Sequence, residues 1–590
     1  MTDAGSTGVA SKDSLFSQSV GMAAAFWASR ERNKLLMLAA ALVVVTAATA
    51  YMQIRLNAWN KPFYNALTHK DMPAFIGQMV VFAELAGVLL VLNVAQMWLN
   101  QSSKVVLRQG LVHDLFDVWL RPRRAFRLSN AGWIGVNPDQ RLHADAQHLT
   151  EIMTDLAIGL LQSTLLLLSF IGVLWVLSQR MIVPFAGHEY RVPGYLMWWA
   201  LLYAGTASFL SWRVGRPLIA LDAERYGREA ELRFALVRVN EEIEGITIYG
   251  GEADEKQHLN RVFATVLEVS RRIVGAVTRL TWVTAGYGWF TIVAPILVAA
   301  PSYLSGDMSF GELMMVVGAF NQVQSSLRWF VDNFSIIADW RATLLRVASF
   351  RNAATTMDSL GSSASRIEVA ETDGESIRID ELRVDAPFGC ISLSDPHVEL
   401  KPGERVLIVS ERSSGRDLLF HAIVGIWPWG SGHIRLPAQK SIAFLPARAY
   451  VPPGTLRGAL AYPRSAVGYE PAAISRAFAA VGLERLVPLL DSVERWDRRL
   501  SEDEKQCLAF ARVILQRPRW VVLDGALEVL DLESRGRIET LITNELADVG
   551  LLSIGQDQPG EAFFQRRLRL EIDPHGPAFR PVAPDASAAA

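Results

Sequence analysis

Six long apolar stretches occur in the first 350 residues, and charged stretches separate them. A helix needs about 20 mostly apolar residues to cross a bilayer. The stretches that we predict to span it are residues 35–54, 75–99, 156–178, 193–212, 280–303 and 310 to about 337. This pattern predicts an all-α, six-helix membrane domain over 26–350, preceded by a polar segment at 1–25.

After a Ser-, Ala- and Gly-rich linker at 351–375, short apolar runs alternate with stretches of helical spacing. Such alternation is typical of an α/β domain. We predict that domain over 376–582, with a disordered tail at 583–590. Residues 377–379 and 390–393 are expected to form antiparallel strands. Residues 441–445 and 520–523 are expected to form central strands, and residues 406–409 and 551–554 further strands.

The composition agrees with a membrane protein that carries a soluble domain. Hydrophobic residues make up 51% of the chain, charged residues only 20%, and the mean hydropathy is +0.20. A formal net charge of -2 argues against nucleic acid as a partner. Two cysteines, Cys390 and Cys507, are too few for a disulfide framework and suit a reducing cytoplasm.

The charges of the connecting loops predict the orientation. Basic residues crowd the second-to-third connection, at Lys104, Arg108, Arg121, Arg123, Arg124 and Arg127. The fourth-to-fifth connection, 213–279, is long and highly charged. The positive-inside rule therefore places both termini in the cytoplasm. Residues 105–120 and 223–273 have helical spacing, so we expect the membrane helices to continue beyond the bilayer.

Polar residues also fall inside the predicted spans. Glu84 lies in the middle of the second span, where an ionisable side chain has either a functional role or an interhelical hydrogen bond. The residues of the sixth span that share this property are Asn321, Gln322, Gln324, Arg328, Asp332 and Asn333. For Arg328 and Asp332, four residues apart, we expect a local ion pair.

The stretch Ser410–Asp417 lies between a predicted strand and a predicted helix, where a phosphate-binding P-loop would lie. On the P-loop template, Ser410 and Ser413 replace glycines, Gly415 is retained, Arg416 replaces the lysine and Asp417 replaces the magnesium-binding hydroxyl. Serine side chains narrow the approach of a phosphate to the backbone. A like-charge pair of carboxylate and phosphate about 4 Å apart costs roughly 4 kcal/mol at an effective dielectric near 20.

The chain resembles a half-transporter of the ABC family, of the SbmA/BacA-like peptide-uptake group in its fused form. The stretches that carry this resemblance are NAWNKPFY (57–64), NPDQR (137–141), EAELRF (229–234), WFVDN (329–333), GIWPWGSG (425–432) and FARV (510–513). The resemblance implies an exporter-type transmembrane domain followed by a P-loop-type nucleotide-binding domain. It also implies that Glu231 and Arg233 match a coupling motif, although a solvated helix face is the default interpretation.

On the motifs of ABC nucleotide-binding domains, every element is altered. Ala447 stands at the glutamine of the Q-loop, Gly525 at the catalytic glutamate and Gln556 at the switch histidine. Asp524 of Walker B and Asp531 of the D-loop remain. In the signature, Ser501 is followed by Glu502 and Asp503, where the family has glycines.

These replacements predict a site without catalytic residues. Acidic residues stabilise a helix N-terminus, and Ser501 with Glu504 has capping-box spacing, so the signature helix needs no phosphate. Gly525 supplies no base, and Gln556 cannot carry a proton as histidine does. We expect no metal ligands and no cofactor, with ATP and Mg²⁺ as the cofactors if the altered site still binds them; whether the chain is an ATPase stays open.

The functional hypothesis is a homodimer in a bacterial plasma membrane, because one six-helix half cannot enclose a pathway. The resemblance implies import of peptides, peptide-like compounds or a vitamin-like corrinoid. Transport would then be driven by an ion gradient, with Glu84 as the proton carrier, or would be facilitated. Two alternatives remain open: an ATP-driven transporter with an atypical site, and a membrane regulator that transports nothing.

Overall fold

The computed structural model describes residues 31–129, 138–179, 183–185, 188–190, 192–356, 366–410, 415–465, 468–556 and 563–577. The chain divides into two compact units, one of Met1–Asp117 with Asn137–Arg351 and the other of Val118–Val136 with Asn352–Ala590. The predicted polar segment at 1–25 and the predicted tail at 583–590 lie outside the described residues.

Long helices dominate the first unit. In chain order, the elements up to residue 356 are α1 (Arg32–Thr68), α2 (Met72–Trp119), α3 (Arg124–Ser129, in the second unit), α4 (Pro138–Ser178), the hairpin strands β1 (Val183–Phe185) and β2 (His188–Tyr190), α5 (Tyr195–Glu241), α6 (Ile243–Tyr249), α7 (Glu252–Leu304), α8 (Phe310–Asp332) and α9 (Phe334–Thr356). With 53 residues, α7 is about 80 Å long. Helices of this length extend well beyond a bilayer, as the charge pattern predicts.

All six predicted spans lie in helices. Within the described residues, four helices are long and apolar enough to cross a membrane by length and composition, namely α1, α2, α4 and α7. The fourth and sixth predicted spans fall in α5 and α8, which are helical but more polar. The number of spans therefore stays a prediction for these two helices, whereas their helical structure is confirmed.

Two predicted boundaries are wrong. The fourth span does not begin at Pro193, because Gly194 has a left-handed φ of 73° and the helix starts at Tyr195. The sixth span does not continue to Ile337, because the helix ends at Asp332. There the side chain of Asn333 donates to the carbonyl of Trp329 at 2.8 Å. An Asn side chain that competes for backbone groups in this way favours a helix end.

Glycines on α8 let α1 approach closely. The amide of Gly311 donates to Asn65 Oδ1 at 2.9 Å, and the neighbouring Glu312 pairs with Lys61 at 2.9 Å. A Cβ at Gly311 would overlap the carbonyl oxygen of Lys61 and lie 2.8 Å from its Cα. Two turns further along α8, Gly318 faces the side chain of the buried Asn57. The NAWNKPFY stretch thus packs through backbone contact.

A π-helical turn, Arg141–Asp145, interrupts α4. Asp145 is 5% exposed and accepts from Arg141 at 2.7 Å and from Arg346 at 3.2 Å. A buried carboxylate needs such partners because burial without compensation is costly. The NPDQR stretch therefore leads into an ion-pair network within the first unit, although Asn137 itself lies outside the described residues.

The second unit contains a mixed sheet, with helices packed against it. Its strands are β3 (Glu368–Glu371), β4 (Ile377–Ala386), β5 (Gly389–Leu393), β6 (His397–Leu400), β7 (Arg405–Val409), β8 (Gly430–Leu436), β9 (Ile442–Leu445), β10 (Gly454–Thr455), β11 (Val493–Glu494), β12 (Trp520–Asp524), β13 (Gly550–Gly555) and β14 (Arg566–Asp573). Its further helices are α10 (Arg416–Val424), α11 (Leu456–Ala461), α12 (Pro471–Ala480), α13 (Trp496–Arg499), α14 (Glu502–Gln516) and α15 (Leu532–Asn544).

The main sheet has the order β3-β8-β4-β5-β14-β7-β13-β12-β9, with β6 paired to β4. Residues 377–379 and 390–393 lie in the antiparallel strands β4 and β5, as predicted. Strand β5 pairs with residues 383–386 of β4, whereas the first four residues of β4 pair with β6. The prediction that 441–445 forms a central strand is wrong, because β9 lies at the edge and residues Gln439–Ser441 form a 3-10 turn. Apolarity alone does not separate an edge strand covered on both faces from a central one.

The short helix α3 packs within the second unit. Arg127 Nη2 donates to the carbonyl of Gly425 at 3.2 Å, and the ring of Phe126 lies 4.8 Å from that of His421. Burial lowers the pKa of His421, and Asp417 partly opposes this, so the ring is neutral at physiological pH. The α/β unit is therefore completed by a segment that precedes most of the membrane region in the chain.

We predict that Gly311→Ala destabilises the protein by ~1–3 kcal/mol, because the backbone of Lys61 cannot move aside for a methyl group. Thermal unfolding of the purified protein in detergent measures the effect. Gly288→Ala on α7 is the matched control, since no described atom lies within 4 Å of its Cβ position. Equal midpoints for the two variants would contradict the close packing of α1 on α8.

Candidate functional site

The candidate site lies where three parallel strands end together. Strand β7 pairs with β13, and β13 pairs with β12, all in parallel. The carboxyl ends of parallel strands meet at one edge of a sheet, where open α/β folds bind ligands. Arg416 follows β7, Gly525 and Glu528 follow β12, and Gln556 follows β13. The topology thus brings together residues that lie up to 140 positions apart.

An ion pair joins two of these loops. Arg416 Nη1 lies 3.0 Å from Oε1 and 2.9 Å from Oε2 of Glu528. The two side chains are only 13% and 29% exposed, so solvent screens the pair less than at the surface. Glu528 Oε1 also accepts from the backbone N–H of Gln556 at 2.6 Å. One carboxylate therefore uses both the cation of the P-loop region and the amide that follows β13.

Gly555 makes room for this carboxylate. A Cβ on Gly555 would lie 2.7 Å from Glu528 Oε1, closer than real contacts allow. Gly525 is favoured for a different reason: it has a left-handed φ of 61°, a conformation that costs roughly 1–2 kcal/mol for most L-residues. Its Cβ position is 3.7 Å from Glu528 Oε2 and 3.9 Å from the Cβ of Ala447, which are ordinary contact distances.

Asp524 lies beneath this pair at the end of β12. It is 7% exposed, and burial raises its pKa to about 6, with Asp417 raising it further and Arg416 opposing. Asp417 itself is exposed in the first turn of α10. Three carboxylates and one guanidinium therefore share this edge of the sheet. Ser410, which is buried, donates its backbone N–H to the carbonyl of Gly555 at 3.2 Å.

The signature residues form a second group, at the N-terminus of α14. Ser501 Oγ accepts from the amide of Glu504 at 3.1 Å, and Glu504 Oε2 accepts from the amide of Ser501 at 3.0 Å. This capping box confirms the local prediction for the signature helix. Glu504 also pairs with Arg485, and Glu502 pairs with Lys505 at 2.7 Å.

Asp503 links the signature to the D-loop. Its Oδ1 accepts from the amide of Asp531 at 3.0 Å, and its Oδ2 accepts from the hydroxyl of Ser534 at 3.2 Å. Asp531 in turn caps α15 through the amide of Ser534 at 2.7 Å. Hydrogen bonds from the backbone and the side chain of Ser534 lower the pKa of the Asp531 carboxyl group. The acidic residue that replaces a signature glycine is therefore part of an internal network.

The remaining predicted residues lie elsewhere or are not described. Ser413 lies outside the described residues. In the first unit, Glu84 is exposed on α2 and Arg233 is exposed on α5. Glu231 pairs with Arg228 at 3.0 Å. The predicted ion pair of Arg328 and Asp332 is confirmed at 3.2 Å. These residues belong to a different compact unit from the sheet site.

Glu528 is the residue that sequence reasoning missed. It stands in the stretch DGALEVLD (524–531), three positions after the glycine that replaces the catalytic glutamate. The signal was therefore present: the chain loses one acid at 525 and has another within one turn. Nothing in the linear pattern says that its side chain folds back towards Arg416, because that depends on the turn through Gly525.

Comparison with known proteins agrees with this architecture. Residues 23–304 match the family described as ABC transporter transmembrane region 2. An uncharacterized ABC transporter ATP-binding protein of Synechocystis is 29% identical, and the match covers 86% of this chain and 76% of that protein. The match thus extends through the membrane helices and the α/β unit. The chain is similar along most of its length to a protein described as an ABC transporter.

Other relatives are bacterial and plant proteins. The inner membrane ABC transporter ATP-binding protein YddA of Escherichia coli is 24% identical, with 91% of this chain and 94% of that protein covered. The chloroplastic ABC transporter D family member 2 of Arabidopsis thaliana is also 24% identical, with 93% and 85% covered. The similarity to these two proteins therefore extends along almost the whole chain.

We predict that Asp524→Asn stabilises the protein at neutral pH. A folded-state pKa of about 6 exceeds the ordinary value near 3.9, so the folded protein holds this proton more tightly than the unfolded chain. Stability from this group falls as the pH rises from about 4 to about 6. At pH 7.5 the variant should be more stable by about 1–3 kcal/mol, and near pH 4 the gain should disappear.

Thermal unfolding across this pH range measures the difference, with exposed Asp548→Asn as the matched control. A gain of the same size at both ends of the range would contradict the burial of an ionised Asp524.

We predict that restoring the family's glutamate by Gly525→Glu yields no ATP hydrolysis above wild type. The left-handed φ strains the new residue, and Glu528 repels its carboxylate. Phosphate release by the purified protein measures hydrolysis. Gly525→Asn is the comparison variant, because Asn tolerates this φ and adds no charge. It therefore separates the effect of backbone strain from that of repulsion by Glu528. Hydrolysis in Gly525→Glu that Asp524→Asn abolishes would contradict the prediction.

Proposed function

We propose that this chain is an ABC half-transporter and forms a homodimer that imports peptides or peptide-like compounds without hydrolysing ATP. ABC half-transporters typically dimerise, since each contributes one membrane region. The substrate class rests on the resemblance of the membrane stretches to the SbmA/BacA-like group. Both termini would face the cytoplasm of a bacterial cell, in agreement with the basic residues of 104–127.

The observation that carries the loss of hydrolysis is the pair of Arg416 and Glu528. In a working P-loop the equivalent cation contacts the β- and γ-phosphates of the nucleotide. Here that cation already has a carboxylate partner, while Gly525 offers no base for a water molecule. The region also contains Asp417 and Asp524, and the pKa of Asp524 is raised by burial and by the neighbouring acidic groups. The residues present do not fit a magnesium-bound triphosphate, and we derive no step through one.

The signature side supports the same proposal. Phosphoryl transfer depends on positioned groups that neutralise the charge on the transferred phosphate. In the family, the signature N-terminus of one subunit faces the nucleotide of the other. In this chain Glu502 and Asp503 place negative charge at that terminus, and Asp503 is engaged by the D-loop. Two copies of the chain would bring acidic groups from both sides to the same place.

Without hydrolysis, transport needs another source of free energy or runs down a concentration gradient. Glu84 is exposed on α2, at the middle of a predicted span. A carboxyl group there is costly in lipid, so it would face a partner subunit or an aqueous pathway. We propose Glu84 as the proton carrier of a gradient-driven cycle. The α/β unit would then act as a scaffold for dimerisation.

An ATP-driven cycle is the second candidate function, and one finding favours it. The Synechocystis and Escherichia coli relatives are both described as ATP-binding proteins. Asp524 also remains at the end of β12, where Walker B ends in the family. Under this alternative the purified protein hydrolyses ATP and loses that activity in Asp524→Asn.

We predict that uptake of a labelled peptide by cells that produce the protein falls when an uncoupler collapses the proton gradient. Glu84→Gln should reduce uptake to the level of cells without the protein, because an amide cannot carry the proton. Depletion of ATP at a maintained gradient should leave uptake unchanged. Uptake that survives the uncoupler but stops without ATP would establish the ATP-driven candidate instead.

A further inference from the structure

Two hydrogen-bond donors of the kind that bind phosphate converge on Glu528. One is the guanidinium of Arg416 and the other is the backbone N–H of Gln556. Guanidinium groups and backbone amides are the usual ligands of phosphate oxygens. The two donors come from the loops after β7 and β13, which are neighbouring parallel strands. The chain therefore retains an anion-binding site, and its own carboxylate lies in it.

We propose that Glu528 is a built-in anionic ligand, which occupies the site of Arg416 and the Gln556 amide and excludes phosphate groups from it. The inference deepens the proposed function, because it names the residue that keeps the nucleotide site closed. It does not depend on the substrate or on the source of free energy.

The geometry supports a specific fit of this carboxylate. Both oxygens of Glu528 contact Arg416 Nη1, and Oε1 has the amide of Gln556 as a second donor. Gly555 must lack a side chain for Oε1 to lie there. Within the described residues, Arg416 Nε is buried and has no acceptor. The carboxylate thus satisfies Nη1 and the amide of Gln556 but leaves Nε without a partner among these residues.

A tethered ligand competes strongly with a free one. A group linked to its own site acts at an effective concentration of about millimolar or more. A phosphate compound must displace Glu528 from Arg416. Once bound, it lies close to the negative charges of Glu528, Asp524 and Asp417, which repel it. Removal of the tethered carboxylate should therefore expose the donors to free anions.

The geometry also distinguishes this role from that of a displaced catalytic base. A general base must have a free lone pair directed at the water that it activates. The Glu528 carboxylate is instead engaged by a cation and by a backbone amide. The two roles predict opposite results when the charge of Glu528 is removed: a ligand that blocks the site gives a gain of binding, and a base gives a loss of hydrolysis.

The test uses the purified full-length chain in lipid nanodiscs and isothermal titration with MgATP and, separately, with inorganic phosphate. Glu528→Gln should bind either probe about tenfold or more tightly than wild type, which corresponds to about 1.4 kcal/mol. Gly555→Ala should give no gain, because its methyl group would lie 2.7 Å from the position of an oxygen bound to the Gln556 amide, whether that oxygen belongs to Glu528 or to phosphate. Glu533→Gln, on an exposed side chain of α15, is the matched control.

The double variant of Glu528→Gln with Arg416→Gln should lose the gain, because the exposed cation is then absent. Thermal unfolding midpoints and gel filtration establish that each variant is folded. A folded Glu528→Gln variant that binds no better than wild type and Glu533→Gln would overturn the proposal. So would hydrolysis by the wild type that Glu528→Gln abolishes.

The outcomes separate this inference from the proposed function. A wild type that hydrolyses ATP, together with a Glu528→Gln variant that binds more tightly, would reject the proposed loss of hydrolysis and support the blocking role of Glu528. A wild type without hydrolysis, together with unchanged binding in the variant, would support the proposed function and reject the blocking role.

Discussion

A buried cation requires an anion, and in the α/β unit that anion is supplied by the chain itself. The pair of Arg416 and Glu528 joins the loops after β7 and β12, and the amide of Gln556 adds the loop after β13. The bare Gly555 follows from the same constraint, since a Cβ there would overlap the carboxylate. The pair neutralises the Arg416 cation. The acidic groups that remain beside it are Asp524 and Asp417.

The signature end shows the same principle at a helix terminus. Acidic residues in the first turn of α14 find partners in the capping box, in Lys505 and in the D-loop. The free N–H groups of a helix N-terminus are what a phosphate would otherwise satisfy. In this chain both ends of the family's nucleotide site have local substitutes for a ligand. The scaffold between them keeps its parallel strands and its apolar cores.

Local chemistry made much of this predictable. The apolar runs predicted the helices that contain the six proposed spans and six strands of the α/β unit. The Ser501 to Glu504 spacing predicted the capping box. These features depend on neighbours in the chain. The edge position of β9, the helix break at Asn333 and the role of Glu528 were not predictable. The edge position and the role of Glu528 depend on contacts between distant segments, and the break depends on an Asn side chain that bonds the preceding turn. The close approach of α1 to α8 at Gly311 likewise follows only from the packed helices.

The position of α3 affects how the protein can be divided for experiments. Phe126 covers His421, and Arg127 binds the carbonyl of Gly425, although both precede the α/β sequence by more than 200 residues. A fragment that starts after the linker would lack this cover and would expose apolar surface around α10 to solvent. The order of synthesis has a related consequence during cotranslational folding, since α3 leaves the ribosome long before the sheet on which it packs. The soluble half can reach its final surface only after the last of the membrane helices has been synthesised.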